Sequence, residues 1–182
     1  MLEIRWHGRG GQGAVTSVEL LSLAAIEEGR YAQGFPSFGP ERRGAPVTAF
    51  NRVDDKQIKI RSGIYHPDLV VVLDEGLVCL VDVAEGLKET GILLVNTTKG
   101  LAELQQDIRF AGKIATVDAT GIAWEELGVP ITNTTMLGAL VKLTGAVQFA
   151  SLAGPIEERF GRIAPKNQRA AKRAYDEVRI IS

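Results

Sequence analysis

Two patterns of apolar residues alternate along the chain, one typical of strands and one typical of helices. Residues 2–6, LEIRW, alternate apolar and polar positions and end close to a glycine, which predicts a first strand. Three further apolar runs predict buried strands, at residues 67–75, 91–96 and 113–119. Helical patterns separate them, at residues 14–28, 76–90 and 101–110. Strands that alternate with helices in this way predict an α/β domain whose sheet is mostly parallel.

The segment that follows the first predicted helix breaks this alternation. Gly29 is expected to end the helix, and residues 34–46 are rich in Gly and Pro, which predicts a loop. Residues 47–62 contain two alternating runs on either side of Asp54 and Asp55, the pattern of a β-hairpin. An inserted hairpin makes the predicted sheet mixed.

The C-terminal third is predicted to be helical. Residues 133–145 are expected to start with Asn133 as the N-cap and to end at Gly145. A short helix with Pro155 in its first turn and an amphipathic helix over 165–178 follow. We therefore predict a three-layer α/β fold with a mostly parallel, mixed sheet, a Rossmann-like first strand–turn–helix, an inserted β-hairpin and a helical C-terminal third. Residues 1–182 are expected to form a single domain.

Charge and hydropathy exclude several classes of partner. The formal net charge is −1, so no global field attracts nucleic acid or an anionic membrane. The N-terminus lacks the layout of a signal peptide, and the longest apolar run, 136–152, is interrupted by Lys142 and Gln148 and is too short to span a bilayer. We expect a cytoplasmic protein that binds neither nucleic acid nor a membrane.

The chain has one cysteine, Cys79, and two histidines that lie far apart in the sequence, His7 and His66. An iron–sulfur cluster or a structural zinc site needs several thiolates or imidazoles, so neither is expected on this chain alone. Apolar residues flank Cys79, which predicts a buried thiol rather than a nucleophile. No catalytic set of side chains stands out, so we predict no catalytic residue and no metal ligand.

A glycine-rich turn follows the first predicted strand. Gly8, Gly10 and Gly13 match G-x-G-x-x-G between a strand and a helix, which is the context that the motif requires. Exposed N–H groups and the helix dipole at such a turn attract a phosphate or a carboxylate, although a turn that only packs the helix on the strand explains the glycines equally well. NAD or FAD binding also needs a second strand that ends in an acid about twenty residues on. Here that region is the predicted loop, so a dinucleotide is not favoured.

The loop over residues 34–46 combines charged and aromatic side chains. It places Glu41, Arg42 and Arg43 between Pro40 and Gly44, with Phe35 and Phe38 beside them. Aromatic residues in a surface loop favour burial against a partner, and Arg side chains suit phosphate or carboxylate. We predict an interface or a ligand lid formed by these residues: Phe38, Pro40, Glu41, Arg42, Arg43 and Gly44.

Four segments in this order resemble one family. They are GRGGQGAVT at 8–16, PSFGPERRGAPV at 36–47, HPDLVVVLDEGL at 66–77 and NTTMLGALVKLTG at 133–145. Together the chain, from residue 4 to about 173, resembles the gamma subunit of the 2-oxoacid:ferredoxin oxidoreductases. The sequence of the second segment is most similar to that of the gamma subunits of the pyruvate type.

The resemblance implies a subunit of a complex that oxidatively decarboxylates a 2-oxoacid, with pyruvate expected, to acyl-CoA and CO₂ while it reduces ferredoxin. It implies alpha-, beta- and delta-type partner subunits, which hold thiamine diphosphate and iron–sulfur clusters. It also implies that this chain helps to hold coenzyme A. The candidate coenzyme-binding residues are Gly8, Arg9, Gly10, Gly11, Gln12, Gly13, Asn133 and Thr134.

Two alternatives from other classes stay open at this point. In the first, the chain is a stand-alone module that binds coenzyme A or a nucleotide. In the second, it is a purely structural subunit whose glycine turn binds nothing. Helix capping alone explains Asn133 as well as ligand binding does.

Overall fold

A computed structural model describes residues 1–37 and 44–181 of the chain. In chain order, its strands and helices are β1 (Leu2–Arg9), α1 (Ala14–Glu27), β2 (Tyr31–Pro36), β3 (Pro46–Asp54), β4 (Leu69–Val72), β5 (Ile92–Asn96), α2 (Leu101–Asp107), β6 (Lys113–Val117), α3 (Ala119–Leu127), α4 (Asn133–Thr144), α5 (Ala153–Phe160), α6 (Ala164–Glu177) and β7 (Arg179–Ile180). Short 3-10 helices cover Glu75–Cys79, Phe149–Leu152 and Gly161–Ile163.

All seven strands belong to one mixed sheet, in the order β2-β3-β1-β4-β5-β6-β7. β1, β4, β5 and β6 run parallel, whereas β2, β3 and β7 pair antiparallel to their neighbours. The parallel strands therefore end at the same edge of the sheet. The segments that follow β1, β4, β5 and β6 meet there, and this is where α/β proteins bind ligands.

Both faces of the sheet carry a hydrophobic core. On one face Trp6, Val71 and Leu94 belong to the core that contains residues of α1 and α4. On the other face Val70, Val72 and Leu93 belong to a second core that includes Leu77 and Leu104. Because β4 is buried on both faces, its run LVVV is apolar at every position. This arrangement confirms the predicted α/β fold with a mixed sheet.

The predicted hairpin over 47–62 is wrong in its second arm. β3 pairs with β1 on one side and with β2 on the other, and the segment after Asp54 forms no strand among the described residues. The predicted loop over 34–46 is wrong at its start, because β2 extends to Pro36. The sequence of β2, YAQGFP, contains Gly and Pro and no β-branched residue, so it did not predict a strand. Its pairing with β3 supplies the missing stabilisation.

Three other local predictions need correction. Residues 76–90 do not form one helix, since only Glu75–Cys79 is helical and the remainder consists of turns. α3 was not predicted. Cys79 is exposed rather than buried, because the 3-10 helix buries its neighbours Leu77 and Val78 and turns the thiol outward.

α4 and α6 pack against each other without room for side chains at their crossing. A Cβ atom on Gly138 would overlap the carbonyl oxygen of Ala171 and lie 2.6 Å from its carbonyl carbon. Thr134 of α4 donates a hydrogen bond to Oδ1 of Asn167 on α6 over 2.8 Å, and both side chains are buried. None of the helices in the described ranges is long and apolar enough to cross a membrane.

Candidate functional site

The glycine turn joins β1 to α1 at the edge where the parallel strands end. Gly11 and Gly13 adopt positive φ angles of 97° and 83°, which side chains disfavour, and α1 starts at Ala14. Gly13 is the N-cap and offers no side chain to the first N–H groups of the helix, and the first turn of α1 contains no acidic residue. The helix N-terminus is therefore open to an anion.

Asn133 closes one side of this turn. A Cβ atom on Gly13 would lie 2.6 Å from Nδ2 of Asn133, so glycine is required for the close approach. The Oδ1 atom of Asn133 accepts a hydrogen bond from the N–H of Thr134 over 2.7 Å. Its Nδ2 has no hydrogen-bond acceptor among the described residues, although the side chain is almost fully buried. Nδ2 is not among the buried unpartnered atoms of the described residues, so this amide donor lies at an accessible position beside the N-terminus of α1.

Two of the turn's N–H groups are already used within the protein. Gly10 donates to the carbonyl oxygen of Ala45 over 2.9 Å, and Gln12 donates to that of Arg9 over 3.0 Å. In the described part of the chain the N–H groups of Gly11 and Gly13 have no acceptor. A Cβ atom on Gly11 would meet nothing within 4 Å, so the turn has open space above it.

Arg9 and Gln12 are fixed by one carboxylate. Asp74 accepts hydrogen bonds through Oδ2 from Nε of Arg9 (3.1 Å) and from Nε2 of Gln12 (2.9 Å). Its Oδ1 accepts from the N–H of Gly76 over 3.0 Å. Arg9 also donates through Nη1 to the carbonyl oxygen of Gly44 over 3.3 Å, so its guanidinium bridges the two sides of the turn.

The position of Asp74 corrects the sequence argument about a missing acid. β1, α1 and β4 form a βαβ unit, since β4 is the parallel neighbour of β1. Asp74 lies two residues after the end of β4, which is close to where a Rossmann fold has its acidic residue. The insertion of β2 and β3 separates the turn from this acid by about sixty residues, so a search about twenty residues on missed it.

Two cavities lie on opposite sides of the end of β1. One of about 290 Å³ is lined by Arg9, by the three glycines Gly10, Gly11 and Gly13, by the start of α1 and by Thr48 of β3. The other, of about 310 Å³, lies over the ends of β4, β5 and β6. Its polar lining consists of Gln12, Asp74, Glu75, Asn96, Thr120 and Thr132.

The sheet face below the turn holds one cationic residue and one imidazole of β1, Arg5 and His7. Arg5 is buried and donates to the carbonyl oxygens of Val83 (3.0 Å) and Glu85 (2.6 Å). His7 has no hydrogen-bond partner at its buried Nε2 atom. Burial, and secondarily the charge of Arg5, lowers the pKa of His7 to about 4. The imidazole is therefore neutral near pH 7.

The predicted site residues fall into three groups. Arg9, Gly10, Gly11, Gln12, Gly13 and Asn133 come together at the turn. Gly8 lies below it, where a Cβ atom would be 3.1 Å from Leu73. Thr134 is the exception, because its hydroxyl is fully buried and points to Asn167 of α6. The helix starts at Asn133 with Thr132, rather than Asn133, as its N-cap.

The predicted interface or lid lies almost wholly outside the described residues. This holds for Phe38, Pro40, Glu41, Arg42 and Arg43. Gly44 is described; it has a positive φ of 83° and donates to the carbonyl oxygen of Gly10 over 3.1 Å. The C-terminal end of that segment is therefore anchored to the glycine turn.

A family model described as pyruvate ferredoxin/flavodoxin oxidoreductase matches residues 3–177. The chain belongs to this family. It is 55% identical over 180 residues to the common gamma subunit of the pyruvate/ketoisovalerate oxidoreductases of Thermococcus kodakarensis, covering 98% of this chain and 97% of that one. The crystal structure of the pyruvate oxidoreductase subunit PORC of Thermotoga maritima superposes with a TM-score of 0.91 at 45% identity, covering 100% and 98% of the two chains.

A more distant member of the structural comparison is the 2-oxoglutarate:ferredoxin oxidoreductase of Magnetococcus marinus, solved with 2-oxoglutarate, coenzyme A and succinyl-CoA bound. It matches 96% of this chain but only 31% of its own, with a TM-score of 0.74 and 17% identity, so the likeness shows the shared fold. The family and the full-length gamma and PORC relatives identify this chain as a subunit of an oxidoreductase complex.

The described part of this chain contains no group of side chains that would bind a redox metal. No three or more His, Cys, Asp or Glu side chains of residues 1–37 and 44–181 come together in a way that would hold a metal ion. The whole sequence contains one cysteine. A cluster bound by several thiolates does not fit these residues.

Proposed function

We propose that this chain is the gamma subunit of a 2-oxoacid:ferredoxin oxidoreductase, with pyruvate as the expected 2-oxoacid. The complex converts the 2-oxoacid and coenzyme A to acyl-CoA and CO₂ and transfers the electrons to ferredoxin. Thiamine diphosphate and the iron–sulfur clusters belong to the alpha-, beta- and delta-type partners. This subunit helps to bind coenzyme A and to assemble the complex in the cytoplasm.

The observation that carries this proposal is the set of open donors at the glycine turn. The N–H groups of Gly11 and Gly13 and the Nδ2 group of Asn133 have no acceptor within the described residues. They surround the N-terminus of α1, where the helix dipole adds partial positive charge. Such a group of donors suits the pyrophosphate of coenzyme A. Gly10 and Gln12 support the turn instead, because their N–H groups already donate to the carbonyl oxygens of Ala45 and Arg9.

Arg9 contributes the positive charge. Its hydrogen bonds to Asp74 and Gly44 fix the guanidinium beside the turn before a ligand arrives. A preorganised cation loses little conformational entropy on binding, so more of its attraction to phosphate contributes to affinity. Thr134 has no part in this site, since its hydroxyl is used between α4 and α6.

Residues 38–44 carry the proposed contact with the partner subunits, next to the coenzyme. Gly44 lies in the same turn that Arg9 and Gly10 stabilise, so a partner that binds this loop is coupled to the turn. The Magnetococcus marinus enzyme contributes only the fold to this argument. The coenzyme assignment rests on the geometry of the turn together with the family resemblance.

Purification of the tagged chain from its native host under anaerobic conditions tests the proposal. We expect thiamine- and cluster-bearing chains to copurify, with dye reduction that requires both a 2-oxoacid and coenzyme A. Comparison of pyruvate with other 2-oxoacids then names the substrate. A colourless, inactive chain without partners would contradict the proposal and favour a stand-alone binding module.

A purely structural subunit predicts a different result from the same material. In that case the complex is active, but substitutions at the glycine turn leave the Michaelis constant for coenzyme A unchanged. The Michaelis constant of the assembled complex for coenzyme A therefore distinguishes a coenzyme-binding subunit from a purely structural one.

A further inference from the structure

The segment that follows β3 has the sequence pattern of a strand but pairs with none of the described strands. Residues 57–61, QIKIR, alternate polar and apolar positions and contain neither Gly nor Pro. They run straight, without a turn or a bend, and belong to no strand of the described sheet. Ile60 is 45% exposed. We call residues 57–61 the unpaired strand, because they have the composition of a strand without its neighbour.

The backbone of the unpaired strand is open to a partner. Within the described part of the chain, the N–H groups of residues 57–61 have no hydrogen-bond acceptor, and the carbonyl oxygen of Ile58 alone is used. It accepts from Nε2 of Gln33 over 3.3 Å. In an extended segment the N–H and C=O groups of successive residues point to opposite sides. The backbone groups of Gln57, Lys59 and Arg61 therefore point away from Gln33 and form an open edge.

β2 and β3 hold the unpaired strand in its extended shape. Gln33 of β2 and Arg52 of β3 are cross-strand neighbours. Gln33 binds the carbonyl oxygen of Ile58, and Nη2 of Arg52 donates to that of Gly63 over 3.1 Å. Arg52 is buried and is itself fixed, because its Nε donates to Oε1 of Glu3 over 2.9 Å. A segment that is held extended loses less conformational entropy when another strand is added to it.

The open edge is also basic. Lys56, Lys59 and Arg61 are exposed, and none of them forms an ion pair with another described residue. The preceding acids do not neutralise them. Asp54 lies 3.5 Å from the N-terminal amine, and Asp55 lies 2.7 Å from an arginine of its own. Three unpaired cations on one short segment disfavour pairing with a second copy and favour an acidic partner.

We propose that the unpaired strand adds as a β-strand to an acidic edge strand of a partner subunit. The open backbone groups form the ladder, Lys59 and Arg61 lie opposite carboxylates, and apolar side chains of the partner cover Ile60. This inference rests on the proposed place of the chain in an oxidoreductase complex and adds a docking surface to it. The surface is separate from the coenzyme site, because the glycine turn binds Ala45 just before β3, whereas the unpaired strand follows the far end of β3.

Hydrogen exchange, measured residue by residue on the isolated chain and on the assembled complex, tests the ladder. In the isolated chain the amides of the unpaired strand should exchange rapidly. In the complex we expect those of Gln57, Lys59 and Arg61 to exchange at least about tenfold more slowly, with smaller changes at Ile58 and Ile60. Unchanged exchange throughout residues 57–61 would overturn the proposal.

Two substitutions at one position separate the backbone from the charge. Lys59→Ala removes the charge, whereas Lys59→Pro removes both the charge and the N–H group and keeps the preceding residue extended. Each variant is titrated into a partner complex that lacks this chain, and the concentration that restores half of the activity is measured. We expect this concentration to be about fivefold higher for Lys59→Pro than for Lys59→Ala, the effect of one lost hydrogen bond.

Reversal of the charge tests the acidic character of the partner. Lys59→Glu combined with Arg61→Glu is expected to raise the half-maximal concentration at least about tenfold. The matched control is Lys113→Glu combined with Lys166→Glu, which reverses two exposed lysines elsewhere and should leave the wild-type value. If charge reversal weakens assembly but Lys59→Pro and Lys59→Ala behave alike, the partner binds through charge alone and the added strand is wrong.

The outcomes distinguish this inference from the proposed function. Every assembled variant is expected to keep the wild-type Michaelis constant for coenzyme A, because none of the substitutions is at the glycine turn. If the wild-type chain copurifies with its partners but its unpaired strand stays unprotected, the inference fails and the proposed function stands. If no partner copurifies, both fail together.

Discussion

The Nε atom of Arg9 donates a hydrogen bond to Oδ2 of Asp74 over 3.1 Å, and the two residues come from the ends of neighbouring parallel strands. The same carboxylate oxygen holds Gln12, whose Oε1 accepts from the N–H of Arg9 over 2.8 Å. The conformation of the turn and the position of its cation are thus fixed together. A change at either residue is expected to affect both.

The charge of Arg9 is expected to contribute to coenzyme affinity. Arg9→Met removes a charge-assisted hydrogen bond to phosphate, which contributes about 1.5–3 kcal/mol, so the Michaelis constant for coenzyme A should rise at least about tenfold. Arg9→Lys keeps the charge but cannot reach both Asp74 and Gly44, so an intermediate value is expected. Steady-state kinetics of the complex measure both. Equal constants for Met, Lys and Arg at this position would exclude a ligand contact.

His7 is expected to make the stability of the chain depend on pH. Its pKa is lowered by burial to about 4 in the folded protein, against an ordinary value near 6.5. Between these values the unfolded chain binds a proton that the folded chain does not, so stability falls as the pH decreases from about 6.5 to 4. Once the pH lies below both pKa values, the free energy of unfolding has fallen by about 3 kcal/mol in total.

Urea unfolding of the purified chain at pH 7.5 and 4.5 checks this prediction. The variant His7→Leu removes the titrating group and is expected to lose about 2.5 kcal/mol less stability between these two pH values. Other groups that titrate contribute equally to both proteins and cancel in the difference. An identical pH dependence for the variant would show that His7 is not the origin.

Gly138 is expected to be essential for the contact between α4 and α6. Gly138→Ala forces the two helices apart at Ala171, and overpacking of this kind costs about 1–3 kcal/mol or more. The higher helix propensity of Ala, about 1 kcal/mol, offsets only part of that cost. We expect a net loss of about 2 kcal/mol in the free energy of unfolding.

Gly63→Ala is the matched control for this substitution. Its Cβ atom would meet only the ring of Tyr65 at 3.7 Å, an ordinary contact. The same added methyl group should therefore change the free energy of unfolding by less than about 0.5 kcal/mol. Similar effects at both positions would contradict the account of the α4–α6 contact.

Much of the fold follows from the sequence because buried parallel strands have an unmistakable composition. The apolar runs of β4 and β5 predicted their own positions, and the glycine turn predicted the start of α1. β1, in contrast, runs through Gly8 to Arg9, three residues beyond the predicted strand. β2 was missed for a physical reason. Its residues are mostly polar or small, and the strand exists because β3 pairs with it.

The site was predictable only where its residues are neighbours in sequence. Gly11 and Gly13 predict the turn. Nothing in the sequence indicates that Asp74 accepts a hydrogen bond from Arg9 or that Asn133 packs on Gly13. Those contacts depend on strand order. The identity of the N–H groups that remain open depends on the hydrogen bonds made by Gly10 and Gln12, which only the folded turn defines.

The central claim is that the glycine turn binds coenzyme A, and a pair of matched substitutions tests it most directly. Gly11 and Gly29 both have positive φ angles and empty space around a Cβ atom, and they lie at opposite ends of α1. Each is replaced by valine, so the backbone strain is comparable. The measurement is the Michaelis constant for coenzyme A of the complex that contains each variant. The account predicts a large increase for Gly11→Val and a wild-type value for Gly29→Val, with both complexes assembled. A wild-type value for both variants would contradict it.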